Sequence, residues 1–389
     1  MSYFLFPEIH DNIEDINITS DIEGVSNHKL YLSLTLNGYL NNIKKQIDDN
    51  CDNWDHVKRY TNPYEFIHSN IPGSKNSISK LKPLSRSFYK MVEITNMLHL
   101  LDNLRDGPIE TFHLAEGPGG FIEAIAFMRK NESDKYHGMT LINEDPNVPG
   151  WKKSKNFLDT HKNVEIEYGP SNTGDLLDVE NLKYCYSKYK NTMNIITADG
   201  GFDFSIDFNK QEILATNLLF AQVSFAIAMQ KPEGHFILKI FDIFTKTTVD
   251  IIYLLSSLYK KVYIVKPNTS RVANSEKYIV CKGFTGNHSK LMNNIISQYH
   301  KLKENDYITS IIESDIDLYY LNKLEEYNAI FGQQQIENIS STLNLMAFGT
   351  KNDKLEVYKK NNVHKCIQWC EKYNIPHNKS QPTQNIFIR

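Results

Sequence analysis

Cysteine is scarce. The 389 residues hold five (Cys51, Cys185, Cys281, Cys366 and Cys370) at scattered positions, which excludes a disulfide scaffold and fits a reducing compartment. Charge of one sign is missing too. Lys and Arg number 43 against 46 Asp and Glu, a net charge of −3. No global basic field marks a nucleic-acid binder, so a polyanion site must be a local patch. Long apolar runs are absent: the longest, 213–229, is broken by Thr216, Asn217 and Gln222 and does not read as a membrane span. The opening MSYFLFPEIHDN has no basic n-region and reaches Pro7 and Glu8 early, so it is a poor signal peptide. No repeat recurs at solenoid spacing. What is plentiful is core-forming material, with 22 Tyr and 20 Phe in a chain that is 41% apolar. That composition excludes a disordered chain and predicts a soluble intracellular protein of about two to three domains.

From residue 111 onward, short apolar runs alternate with helical patterns. The expected strands are Thr111–Ala115, Tyr136–Ile142, Val164–Tyr168, Asn194–Ala198, His235–Ile240, Lys261–Val265 and Lys277–Cys281. Between them, Leu214, Leu218, Ala221, Phe225 and Ala228 trace one helical face. This alternation predicts an α/β fold with a mostly parallel, doubly wound sheet. The last two runs are too close for a parallel crossover, so they are expected to pair antiparallel. Before them lies a polar stretch rich in Asn and Asp with one helix near Leu32–Ile47. After about residue 290 the pattern is helical.

The run FHLAEGPGGFIEAIAFM reads as strand, glycine turn and helix, a geometry that aims backbone N–H groups at a ligand. Ile122 occupies the sixth position of a dinucleotide fingerprint, which disfavours a nicotinamide enzyme, and a Walker A loop is absent. The bland alternative is an ordinary tight turn. Acids follow at expected strand ends, Asn143-Glu144-Asp145 and Gly174-Asp175, on the ligand face of such a sheet. Asp199 closes NIITA, Lys239 lies within GHFILKIFD, and Glu276 opens EKYIVC. A lysine in so apolar a strand is costly unless it faces water, is paired or has a function. With Lys90 of SRSFYKMVEI, these residues compose a Lys-Asp-Lys-Glu set. Such a set can orient a lysine to bind or deprotonate a hydroxyl, and no metal is required if the electrophile arrives activated.

The set Lys90, LAEGPGGF (114–121), ADGGF (198–202), Lys239 and Glu276 resembles the FtsJ-like (RrmJ-type) 2′-O-ribose methyltransferases, and among them the cap-specific mRNA enzymes that make cap 1. TNPYEFI (61–67), DGGF…NKQEIL (199–214) and GHFILKIFDIFT…KPNTSRVANSEKYIVCKGF (234–284) carry the likeness, and a fainter one reaches CEKYNIP (370–376). The resemblance implies a Rossmann-like S-adenosylmethionine-dependent methyltransferase sheet, mostly parallel with one antiparallel strand. It divides the chain into an N-terminal extension (1–55), the methyltransferase domain (56–290) and a helical C-terminal segment (291–389).

The implied reaction moves a methyl group to the ribose 2′-OH of the first transcribed nucleotide of capped mRNA, leaving S-adenosylhomocysteine. Lys239 would be the base, Lys90 and Asp199 would tune and orient it, and Glu276 would complete the network. Cofactor contacts would come from Ser85, Glu116, Gly117, Pro118, Gly119, Gly120, Phe121, Glu144, Asp175 and Asp199. His113 stands where the family usually has an acid, so Glu116 is assigned its contact with the methionine amino group. Which residue of 143–145 meets the ribose stays open, and Asp175 matches the adenine-contacting acid.

Capped RNA, the expected partner beside other capping or transcription proteins, would meet Lys58, Asn209, Arg271 and Asn274. Tyr60, Tyr64 and Phe208 are candidates for a cage around the cationic cap base. The 152–155 lysines read as solvated surface charge. His364, Cys366, Cys370 and His377 can be drawn as a zinc site, but buried apolar cysteines one helical turn apart fit the spacing better. Alternatives are 2′-O-methylation of the second nucleotide or of ribosomal or transfer RNA, and an inactive RNA-binding subunit. A composition rich in Asn, Lys and Ile fits a large-DNA-virus protein acting in host cytoplasm, with a nuclear cellular enzyme as the other option.

Overall fold

The computed structural model describes residues 2–11, 13–21, 29–143, 145, 148, 150–201, 210–286, 288–302, 306–347 and 352–378. Its strands are β1 (Ser2–Leu5), β2 (Thr19–Asp21), β3 (Glu110–Leu114), β4 (Lys135–Met139), β5 (Val164–Ile166), β6 (Met193–Ala198), β7 (Gln230–Ile240), β8 (Tyr259–Lys266), β9 (Lys277–Phe284) and β10 (Tyr307–Ser310). All seven apolar runs read from the sequence are strands. They lie in one eight-stranded sheet of order β1-β8-β9-β7-β6-β3-β4-β5. Strands β3 to β7 run parallel, and β9 is the expected antiparallel strand, opposed to both β7 and β8. The edge strand β1, which the polar opening stretch did not announce, adds antiparallel to β8. Likewise β2 and β10 form a small separate pair.

The helices used below are α1 (Leu34–Asp48), α2 (Cys51–Thr61), α3 (Ser87–Met97), α4 (Gly120–Arg129), α5 (Val179–Tyr189), α6 (Thr216–Met229), α7 (Lys246–Leu258), α8 (Ser289–Gln298), α9 (Leu318–Ala347) and α10 (Asn352–Lys372). Period-two alternation divides the sheet's side chains between two apolar layers. Phe112, Leu114, Ile196 and Leu238 face α5, α6 and α7, whereas Ile195, Ile237 and Val280 face α3 and α4. Of the face read from Leu214 to Ala228, Leu214 ends a short helix of its own (Gln211–Leu214) and the rest lies on α6, which is buried on nearly every side. Neighbouring α5, α7 and α8 cover the rest of its surface.

The chain winds outward from β3 through β4 and β5, then returns to β6 on the other side of β3. That reversal is a topological switch point at the carboxyl ends of β3 and β6, the usual ligand position of such sheets. The long α9 packs on α1 and α2, and α10 packs on the Glu65–Ile67 turn. Cys366 and Cys370 are fully buried, as their spacing predicted, with Trp369 edge-on to Tyr89 between them and α3.

Candidate active site

Strand register explains how four residues far apart in sequence meet. Leu114 of β3 pairs with Ala198 of β6, and Ala198 pairs with Leu238 of β7. Asp199 therefore emerges beside Lys239, and Lys239 lies directly across from Tyr278 of β9. The Lys239 ammonium donates to the Asp199 carbonyl at 2.6 Å and lies 3.3 Å from Asp199 Oδ1. Lys90, on α3 against the same sheet face, reaches Glu276 at 2.7 Å to Oε1 and 2.9 Å to Oε2. The Tyr278 hydroxyl joins the two halves, 3.2 Å from Asp199 Oδ1 and 3.4 Å from Glu276 Oε1. Ser270 adds a hydrogen bond to Glu276 Oε1 at 2.8 Å. The expected Lys-Asp-Lys-Glu set is thus one connected cluster. Tyr278 is its missed member, and its signal was its place two residues after Glu276, on the same face of the strand.

Burial sets the electrostatics. Lys90 is 6% exposed, and burial lowers its pKa against the opposing pull of Glu276 and Asp199. Burial works against the Glu276 carboxylate as well, but Lys90, Lys239 and Arg86 hold it well below the usual range. The Tyr278 hydroxyl is driven well above its ordinary value, first by burial and then by the two carboxylates, so it stays protonated.

At the end of the neighbouring strand β3 stands the glycine turn. The Gly117–Pro118 peptide is cis, and Gly119 sits at φ +101°, a left-handed conformation that favours glycine. Gly120 opens α4 with no room for a side chain, since a Cβ would run into the hydroxyls of Ser85 and Ser87. Ser85 and Ser87 are hydrogen-bonded to each other, which places Ser85 beside the turn. A Cβ on Gly117 would come within 2.8 Å of Gly150 Cα. Phe121 is fully buried and its N–H donates to Glu116 Oε1. His113, in the place of the usual acid, has both ring nitrogens on threonines: Nε2 with Thr111 at 2.9 Å and Nδ1 with Thr197 at 2.7 Å. Farther along, Asp175 Oδ1 accepts from Leu177 N at 2.9 Å, in a turn whose Thr173 carbonyl accepts from Ile142 N at 2.8 Å. Asp175 therefore lies over the end of β4. Glu144 falls outside the described residues.

The candidate RNA residues divide. Asn274 is exposed on the loop between β8 and β9, and Lys58 sits on α2 in a pair with Asp55. Arg271 is turned inward, its guanidinium on both oxygens of buried Glu65 at 2.7 and 3.0 Å. Tyr60 is 6% exposed and packs on Phe66. Asn209 and Phe208 lie outside the described residues. No group of metal-ligating side chains, and no helix long and apolar enough to cross a membrane, occurs among the described residues.

A sheet switch point with a close-packed glycine turn at the end of β3 and a lysine–carboxylate chain at the neighbouring ends of β6 and β7 defines an α/β protein with an ionic cluster at the usual ligand position of its sheet. Residues 83–284 match the FtsJ-like methyltransferase family, and the chain belongs to it. Among curated proteins it is 30% identical, over 76% of its length, to a Drosophila melanogaster protein named cap-specific mRNA (nucleoside-2′-O-)-methyltransferase 1. A Trypanosoma brucei brucei protein of the same name is 28% identical over 67% of this chain and 72% of its own. A Pongo abelii protein named cap-specific mRNA (nucleoside-2′-O-)-methyltransferase 2 is 26% identical over 88% of this chain. The chain spans 39% of the Drosophila relative's length and 45% of the Pongo relative's.

Proposed function

We propose that the protein methylates the ribose 2′-hydroxyl of the first transcribed nucleotide of capped mRNA, using S-adenosylmethionine. The observation that carries this reading is the continuous Lys90–Glu276–Tyr278–Asp199–Lys239 cluster at the strand end next to the glycine turn. The relatives' names support the cap as substrate.

The residues of the glycine turn fit such a cofactor. Gly117 and Gly120 stand where a Cβ would collide with neighbouring atoms, and Glu116 has a buried oxygen with no hydrogen-bond partner among the described residues. Glu116 would take the methionine ammonium, Ser85 and the turn backbone the methionine end, and Asp175 the adenine edge. When bound, the cofactor supplies a methyl group on a positively charged sulfur. The protein's part is placement and proton handling. Lys239 would hold the 2′-hydroxyl and take its proton, while Asp199 fixes the lysine's position through its carbonyl and carboxylate. Lys90 and Glu276, tied to Asp199 through Tyr278, would keep that geometry rigid. Holding two reactants in line contributes much of the acceleration in such a transfer. Asn274, Lys58 and Asn209 would meet the RNA, and Arg271 would stiffen the loop that carries Asn274. We place this activity in the cytoplasm, and other capping or transcription proteins would be its partners.

A second reading, methylation of the second nucleotide, is favoured by the likeness to the type 2 relative. Tritiated methyl transfer to short RNAs, capped with methylated or unmethylated guanosine or left uncapped, tests both. Nuclease digestion then locates the label. Label on the first ribose of capped RNA alone supports the main reading, and label on the second ribose supports the alternative. Label on uncapped structured RNA, or none with cofactor bound, refutes both.

A further inference from the structure

Glu116 is an odd residue for its position. Its side chain is buried at 3% exposure, with Oε1 accepting from Phe121 N–H at the start of α4. Oε2 has no hydrogen-bond partner among the described residues, although it lies 3.4 Å from His113 Nδ1. That imidazole supplies no positive charge: its nitrogens are engaged by Thr111 and Thr197, and burial holds its pKa down to about 3. Among the described residues, the charged groups that act on Glu116 are acids, Asp199 beyond β6 and Glu123 on α4, while His137 of β4 acts on His113. The neighbouring cation Lys239 is committed to Asp199. Burial first, and then repulsion from Asp199, push the Glu116 carboxyl well above its ordinary value, against the pull of two backbone N–H groups. A buried carboxylate without a cation is costly, and protonation is the cheapest relief.

We propose that Glu116 holds a proton in the cofactor-free protein and releases it to solvent when the methionine ammonium of the cofactor docks against Oε2. The step rests on the cofactor assignment above. A neutral acid and a cation become a carboxylate–ammonium pair, and the proton passes to buffer. The alternative is that Glu116 is a permanently ionised cap of α4, in which case no proton moves.

Titration calorimetry of the full chain with S-adenosylhomocysteine separates the two. This probe keeps the ammonium and does not turn over. At pH 6.5 its amino group is already charged, since even the α-amino group of a peptide titrates above that pH. Heats measured in buffers of different ionisation enthalpy count the protons released. We expect a release that is largest at acidic pH and falls toward zero as pH rises through the free Glu116 value. In Glu116→Gln, which retains an acceptor for Phe121 N–H, the release should vanish while binding weakens about tenfold or more. The wild-type proton count stands even if the variant does not fold. Binding with no proton release at any pH overturns the proposal, as does a release that persists unchanged in Glu116→Gln. Absence of binding heat together with absence of thermal stabilisation by the probe overturns the cofactor assignment itself.

Discussion

The Lys90–Glu276 pair makes the sharpest stability prediction. Its side chains are 7% and 16% exposed, and the ammonium contacts both carboxylate oxygens at 2.7 and 2.9 Å. At an effective dielectric of about 20, unit charges this close attract by roughly 6 kcal/mol, of which desolvation cancels a large part. Glu276→Gln leaves the Lys90 ammonium buried beside Lys239 and Arg86, so we expect a loss of about 3 to 4 kcal/mol. Lys90→Met leaves a carboxylate that still has Ser270, Tyr278 and the Arg86 charge, so the loss should be smaller, about 2 kcal/mol. The double variant removes both charges and should recover about 2 kcal/mol relative to the sum of the single losses. Urea unfolding at pH 7.5 measures all four proteins, and methyl transfer should be absent from the three variants. If the single effects add within about 0.5 kcal/mol, the two charges are not coupled and the argument fails.

Replacing Lys239 by Ala should abolish transfer while RNA affinity stays within a few-fold in a filter-binding assay, and retained transfer would remove Lys239 from the role of base. Arg271→Met strips a 2%-exposed Glu65 of its bidentate partner and should cost about 3 kcal/mol in urea unfolding, whereas a purely RNA-facing arginine would cost almost nothing. Acid should destabilise the fold from about pH 6.5 downward, because burial lowers His113 to about 3 and His235 to about 4. Below 6.5 the unfolded chain takes up protons that the folded one refuses, which costs about 2 kcal/mol per histidine by pH 5 in a pH series of urea melts. Glu65, held near 2 by Arg271 despite its burial, adds stability that is present above 4.5 and lost as pH falls through its folded value. Gln335→Leu removes the hydrogen bond from α9 to the Ala273 carbonyl and should raise KM for RNA a few-fold without changing cofactor affinity; an unchanged KM would refute that anchoring role.

The strands of the central sheet were legible because each is an apolar run long enough to stand out, and the glycine turn because only glycine tolerates its contacts. Strand β1 was not: four residues, SYFL, gain their strand state from the open edge of β8 rather than from their own pattern. Arg271 shows a second limit. A basic residue in a substrate-like motif looks the same whether it faces solvent or a carboxylate 206 positions earlier in the chain, and Glu65 decides which. Helix α6 shows a third. Its regular apolar spacing fixed the helix but not how much of it is covered, because coverage is supplied by α5, α7 and α8.

The loop between β8 and β9 explains why the flanking segments accompany the sheet. It carries Asn274 to the surface and leads directly into Glu276, so its shape sets both the exposure of Asn274 and one end of the ionic cluster. Within it, Asn268 N and Thr269 N donate to Glu93 on α3 at 3.0 and 3.1 Å, and Arg86 donates to the Thr269 carbonyl at 3.2 Å. Val272 N donates to Asn62 at the end of α2 at 3.1 Å, and the Ala273 carbonyl accepts from Gln335 of α9 at 2.7 Å. At its base, Lys266 donates to the carbonyls of Asn274 and Glu276. A surface loop with so many ties from outside itself is ordered by those ties, since its own backbone has few partners to offer. Helices α2 and α9 are therefore tied to the same loop that sets Glu276 against Lys90.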